Sequence, residues 1–247
     1  MMSLDGSGPT GASATTTDSA RDACLVEVAS SSDEWSRVCD LVSRESQPHL
    51  KHYGFSLEIA KLHLVSPGCL QRQQQQRAKA LGAPTLLFHG TWSDNVQGIL
   101  REGFALPQRS GMFGPGIYFA DCPLKSVQFA KKVGPGRTWL HSLQRQWHRA
   151  VGWLSRPPEQ RQTLTMLACE VFLGRSWTLR HAKAVNPSED LRCGWLMKAL
   201  GAGDYSSVYV PGGLFGAVRV PEYVVYEPYQ AIPKYVIEFT VKHIQAS

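Results

Sequence analysis

The sequence predicts a single α+β domain, dominated by strands toward its C-terminus. Three observations carry that expectation. TLLFHG with DNVQGILREGF (85–104), and GIYFAD with CPLKSVQFA (116–130), each run from a short apolar strand through a polar residue to a short helix. From Leu164 onward the runs LTMLACEVFL, SSVYV, AVRV, EYVVY and KYVIEFTV are separated by Gly and Pro, the punctuation of short, largely antiparallel strands. The chain has 247 residues, 43% hydrophobic and 19% charged, enough to bury one sizeable core.

The elements follow in order. Residues 1–23 are rich in Gly, Ser, Thr and Ala and lack the basic start and apolar segment of a secretory signal, so a disordered tail is expected there and the domain over 24–247. DEWSRVCDLVSR (33–44) sets Trp35, Val38, Leu41 and Val42 at helical spacing behind a Ser/Asp cap. SLEIAKLHLV (56–65) alternates Leu57, Ile59, Leu62 and Leu64 as a strand that ends at Ser66-Pro67, and a Gln- and Arg-rich stretch to Leu81 reads as an exposed helix. TLLFHG is a strand, and the next helix has Asp94 as N-cap, Gln97 three residues on, an apolar face of Val96, Ile99 and Leu100, and Gly103 as its stop. GMFGPG (111–116) is a glycine turn into a strand over 117–119, after which Asp121 caps a helix through Leu124, Val127 and Ala130. LTMLACEVFL (164–173) is apolar enough to be buried on both faces, with Glu170 the exception.

Composition also excludes. No apolar run approaches the roughly 18 residues of a membrane span. Six cysteines are scattered without a C-x-x-C pair, and the one N-P-S sequon, at Asn186, is blocked by Pro187; a reducing compartment, nuclear or cytoplasmic, is expected. P-loop, zincin, α/β-hydrolase and Rossmann fingerprints are missing, and no metal site is expected. The charge is concentrated between Lys131 and Thr163, where seven basic residues face Glu159, a net +6 that equals the formal charge of the whole chain. Within this basic insert, at about 133–162, Leu140, Leu143, Trp147, Val151 and Leu154 follow helical spacing, with Arg145 and Arg149 between them.

Four residues stand out for chemistry: His89 in FHGT, Tyr118 in GPGIYFAD, Ser126 in LKS and Glu222 in VPEYVVYE. Singly, each has a plain structural explanation, such as a hydrogen-bonded histidine, a packed tyrosine or a solvated glutamate. Their order is more specific. H-G-T after one strand, G-x-G-I-Y-F-A and K-S around the next, and E-Y-V-V-Y near the C-terminus, together with MLACEVFLGRSWTLRHA (166–182) and YSSVYVPGG (205–213), resemble the catalytic domain of the poly(ADP-ribose) polymerases from about Ile59 to Val241.

The resemblance implies an ADP-ribosyltransferase-like fold of largely antiparallel sheets flanked by short helices, with NAD as substrate. His89 is then the triad histidine that bonds a ribose hydroxyl, and the Gly90 backbone and Ser126 hydroxyl hold the nicotinamide carboxamide. Tyr118 stacks on the nicotinamide ring, with Gly114 and Gly116 letting the chain approach the ligand. Phe129 stands where the family has a second stacking tyrosine, and Thr91 and Asn95 face the adenosine side. Glu222 is the triad glutamate, gripping the hydroxyl beside the oxocarbenium-like centre. Lys125 is either an acceptor or phosphate contact or an exposed helix lysine. The implied activity is cleavage of nicotinamide from NAD and transfer of ADP-ribose to acceptors, protein side chains first, with extension to poly(ADP-ribose) permitted by a glutamate but not required by it. Alternatives are a non-catalytic NAD or ADP-ribose binding module, and an interaction protein working through the basic insert, whose charge suits nucleic acid or an acidic partner.

Overall fold

The computed structural model describes residues 23–130, 163–214 and 216–244. The expected tail, Ala23 apart, and the basic insert with its helix lie outside the described residues.

A five-stranded antiparallel sheet is built from β1 (Cys24–Glu27), β2 (Phe55–Ser66), β3 (Thr85–Thr91), β5 (Leu164–Val171) and β9 (Ala231–His243), in the order β1-β2-β9-β5-β3. A second sheet, in the order β4-β8-β7-β6, joins β4 (Ile117–Phe119), β8 (Glu222–Val225), β7 (Ser207–Val210) and β6 (Ser176–Thr178), of which only the β6–β7 pair is parallel. The α+β class and the predominance of antiparallel pairing agree with the sequence.

Strand β5 is covered on both faces, as its apolar run predicts. Leu164, Met166 and Ala168 pack with Val38 and Val42 of helix α1 (Asp33–Ser46) and with Leu124 and Val127, whereas Leu167, Cys169 and Val171 pack with Val96 and Leu100 from the next helical unit and with Ile117 and Phe119 of β4. The period of two along the strand divides these sets. Its neighbour β9 carries Pro233 although it is a central strand. The register shifts at that point, from Ala168 opposite Tyr235 to Cys169 opposite Pro233, which takes the missing donor out of the regular ladder.

The short helices depart from expectation mainly at their ends. After α2 (Leu50–Tyr53), the Gln-rich stretch forms α3 (Cys69–Ala78), but Gln71 on it is buried: its Oε1 accepts from the Gly68 N–H, and its amide nitrogen donates to the Leu100 carbonyl. Helix α4 (Ser93–Glu102) begins one residue earlier than Asp94, which lies in its first turn and complements the helix dipole instead of capping; Trp92 holds the N-cap position and Gly103 closes the helix at φ +81°. Helix α5 (Pro123–Ser126) is four residues long with Cys122 at its N-cap, and Asp121 makes no capping bond, its carboxylate being drawn to Tyr223. AVRV (217–220) is no strand, because the chain there makes one isolated bridge, Gly212 with Val218, and the Val220 carbonyl accepts from the Lys125 ammonium at 3.2 Å.

Gln230 clamps the two sheets. It is 1% exposed; its amide nitrogen donates to the carbonyls of Phe172, just past β5, and Ser206, just before β7, at 2.9 and 3.0 Å, while its Oε1 accepts from the Glu227 N–H at 3.1 Å. Gln230→Met keeps the volume and orphans all three groups, so it is expected to lower unfolding free energy by about 2 kcal/mol or more, read from urea denaturation midpoints.

Candidate active site

The two sheets meet edge to edge. Strand β3 is the last strand of one and β4 the first of the other, and a single antiparallel bridge, Phe88 with Ala120, joins them through hydrogen bonds of 2.8 and 3.0 Å. Beyond the bridge the strands splay, and the side chain of His89 replaces the ladder. Its Nδ1 lies 2.8 Å from the Tyr118 backbone oxygen. A carbonyl only accepts, so Nδ1 carries the proton and Nε2 keeps a lone pair. Burial holds the imidazole pKa below its ordinary 6.5 and so favours the neutral ring, although the Tyr118 carbonyl acts in the opposite sense. Phe104 stands edge-on to the ring at 5.2 Å and Phe119 tilts against it at 5.4 Å.

Tyr118 is fixed at its far end. Its hydroxyl donates to the Gly114 carbonyl and accepts from the Phe113 N–H, both at 2.9 Å. Burial raises its pKa, so the phenol stays protonated and able to donate. The glycines of the preceding turn make room, but for the protein itself: a Cβ on Gly111 would fall 2.3 Å from the Tyr118 hydroxyl, one on Gly114, at φ +96°, 2.3 Å from the Val185 carbonyl oxygen, and one on Gly116 2.3 Å from Val224 Cγ1. The close approach read from the sequence for Gly114 and Gly116 is therefore to neighbouring chain.

Gly90 follows the same logic. A Cβ there would lie 2.1 Å from the Ser126 carbonyl oxygen and 3.0 Å from Phe129 Cβ, so α5 runs directly against the end of β3. The Ser126 hydroxyl is buried and has no hydrogen-bond partner among the described residues. Such an orphan costs about 1–3 kcal/mol and is the kind of group a ligand satisfies. Phe129 is 45% exposed, an aromatic face open to solvent beside Gly90. Thr91 is buried and receives a 3.4 Å hydrogen bond from exposed Asn95 one helical turn later.

The charged part of the site links α5 to β8. Glu222, the first residue of β8, is 9% exposed, and its Oε1 meets the Lys125 ammonium at 2.5 Å. Lys125 is 8% exposed, so it is no surface lysine. Burial pulls its pKa down, and the Glu222 and Asp121 charges push it back up. Next to Glu222, Tyr223 donates through its hydroxyl to Asp121 Oδ2 at 3.3 Å and packs against Tyr209 at 5.0 Å. All the residues singled out in the sequence thus fall in one connected neighbourhood: His89 holds Tyr118, Gly90 adjoins Ser126 and Phe129, Thr91 meets Asn95, and Lys125 beside Ser126 holds Glu222. The Lys125–Glu222 pair and the Asp121–Tyr223 contact were missed; YFAD and EY, in the very motifs quoted, were the available signal. Among the described residues no three His, Cys, Asp or Glu are grouped to hold a metal ion, and no helix is long and apolar enough to cross a membrane.

Two largely antiparallel sheets with short helices make an α+β fold consistent with an ADP-ribosyltransferase catalytic domain. The poly(ADP-ribose) polymerase catalytic domain matches residues 32–198, about two thirds of the chain, and the chain belongs to that family. It is 33% identical over 111 residues to poly [ADP-ribose] polymerase 2 of Arabidopsis thaliana and 32% identical over 114 residues to poly [ADP-ribose] polymerase 1 of Xenopus laevis, matches that cover 42% and 44% of this chain. A third match, 38% over 84 residues, is to poly [ADP-ribose] polymerase 1 of Arabidopsis thaliana and covers 32% of the chain. These segments span only 17%, 11% and 8% of the relatives' lengths. The family match contains His89, Tyr118, Lys125, Ser126 and Phe129 and ends before Glu222.

The histidine makes stability depend on pH with a definite sign. Its pKa is lower folded than unfolded, so between the two values the unfolded chain binds more protons, and its contribution is intact above about 6.5 and lost as pH falls toward the lowered value. Going from about pH 7.5 to about pH 5.5, the urea midpoint is expected to fall less for His89→Gln than for the wild type.

Proposed function

We propose that the chain is an NAD-dependent ADP-ribosyltransferase that releases nicotinamide and passes ADP-ribose to protein side chains, with His89, Tyr118 and Glu222 as its triad. Family membership supports the reaction class, and the observation that carries the assignment is the buried Lys125–Glu222 pair, whose lysine sits on α5 beside Ser126, which packs on Gly90 next to the His89 that bonds Tyr118.

Each residue has a role suited to its state. His89, with its Nε2 lone pair free of a proton, accepts from a ribose hydroxyl. The Gly90 backbone and the orphan Ser126 hydroxyl take the carboxamide of nicotinamide, with Tyr118 and exposed Phe129 as aromatic walls on its ring. Thr91 and Asn95 serve the adenosine side. Glu222 accepts from the hydroxyl adjoining the bond that breaks, stabilising positive charge as it develops at the ribose carbon, and polarises the incoming acceptor hydroxyl. Lys125 keeps that carboxylate in place. Its burial and pairing favour this holding role over a direct contact with acceptor or phosphate.

Glu222→Gln keeps the shape and removes the charge. Nicotinamide release and transfer of label from adenine-labelled NAD are expected to fall a hundredfold or more, with a much smaller change in KM for NAD, because the lost interaction strengthens in the transition state. NAD binding by calorimetry without nicotinamide release in the wild type would replace the transferase with a binding module.

A further inference from the structure

We propose that a cavity between helix α1 and strand β2 is a second binding site, separate from the candidate active site, for an uncharged molecule of one aromatic ring carrying a single hydroxyl or amide group. The inference goes beyond the transferase reading and does not depend on it.

The sequence leaves the gap. Cys39, Val42, Ser43 and Ser46 follow one another at i, i+3, i+4 and i+7, so they form one strip along α1, and three of the four are small. The facing wall includes Leu57 and Ile59, two residues apart on β2 and therefore on one side of the strand. The register of β2 against β9 shifts between Ile59 and Lys61, a bulge that bends the strand. Small side chains on one wall and a bent strand on the other leave a cavity of about 140 Å³, which Leu50 at the start of α2 also lines. None of its lining residues belongs to the candidate active site.

One polar group there is left over. Ser46 lines the cavity and is 5% exposed, and its hydroxyl is buried with no hydrogen-bond partner among the described residues. A serine within a helix can turn its hydroxyl back to the carbonyl four residues earlier, here that of Val42, and Ser46 makes no such bond. The hydroxyl is thus available both to donate and to accept.

Size and charge define the ligand. A cavity of about 150 Å³ with apolar walls takes one benzene ring. Val42, Leu50, Leu57 and Ile59 supply apolar contact, and no lining residue is charged, so a buried ion would find no opposite charge. A ring with one hydroxyl or amide group satisfies the walls and the orphan together. Cys39, half-buried on the same strip, gives the site a chemical reporter.

In the test, the full chain with 13C-labelled methyl groups is titrated at neutral pH with phenol, toluene and benzoate. Phenol and toluene are expected to shift the methyl signals of Val42, Leu50, Leu57 and Ile59 to saturation, and benzoate, the same ring with a charge, to leave them in place. Ser46→Ala suits the helix, alanine being its best former, and removes only the hydroxyl. It is expected to move the ratio of phenol to toluene affinity roughly fivefold or more toward toluene, since the phenol hydroxyl is then buried without a partner. Alkylation of Cys39 by iodoacetamide, followed by peptide mass spectrometry, is expected to slow severalfold under saturating phenol, while that of exposed Cys24 is unchanged. Absence of a saturable methyl shift with both phenol and toluene overturns the proposal and marks a cavity that takes water alone. An unchanged affinity ratio in Ser46→Ala overturns the role of the hydroxyl, and benzoate binding as well as phenol overturns the choice of an uncharged ligand. No readout involves NAD, so each outcome stands apart from that of Glu222→Gln.

Discussion

The site depends on one constraint: two sheets are joined at their edges by a single bridge, Phe88 with Ala120, and then part. A continuous ladder would close the space between β3 and β4 with backbone hydrogen bonds. The bonding capacity freed by the split is taken up by side chains, with His89 spanning to the Tyr118 carbonyl. The end of β3 is then backed by α5, whose backbone approaches it so closely that residue 90 must be glycine. Apolar burial on both faces of β5 and β9 anchors one side of the split, and the smaller core around Phe113, Val208, Val210 and Val224 anchors the other.

Beside that edge Lys125 and Glu222 form a buried ion pair. A lysine and a glutamate removed from water forgo several kcal/mol of hydration each, and mutual attraction offsets that only when geometry is good and the remaining donors find partners. Here the contact is short and a further donor of Lys125 reaches the Val220 carbonyl. That carbonyl is free to accept because residues 217–220 make no ladder, so an apparent strand in the sequence is given up to stabilise the buried cation. For folding alone, apolar residues of similar volume would do as well or better. The pair is more readily understood as holding one carboxylate in one orientation.

Much of this was legible beforehand, and the failures have physical reasons. Strand and helix positions followed from apolar patterning, because α1 and α4 bury one face at helical spacing and β5, covered on both faces, is a continuous apolar run. The residues proposed as the triad stand out only as a set, since none has local chemistry that separates it from a packed neighbour. AVRV misled because alternation records which side chains are buried, while a strand needs a partner for its backbone. Asp94 and Asp121 were read as caps from their position before apolar runs. In the first case the N-cap falls two residues earlier, at Trp92, and in the second a phenol from a strand about a hundred residues away outcompetes the helix for the carboxylate. The Lys125–Glu222 pair has the same origin, being a contact between segments far apart in sequence.

The two aromatic rings near the split differ in a way that bears on binding thermodynamics. Tyr118 is pegged at its hydroxyl and braced against Gly111, so it has almost no rotational freedom left to surrender when a planar ring arrives. Phe129, nearly half exposed, keeps its freedom until it is covered. In the proposed site a planar ring would find Tyr118 already ordered, whereas ordering Phe129 would cost about 0.5–1.5 kcal/mol. On that proposal, selectivity among flat ligands would vary with the shape offered to Tyr118, and the temperature dependence of affinity would follow the ordering of Phe129.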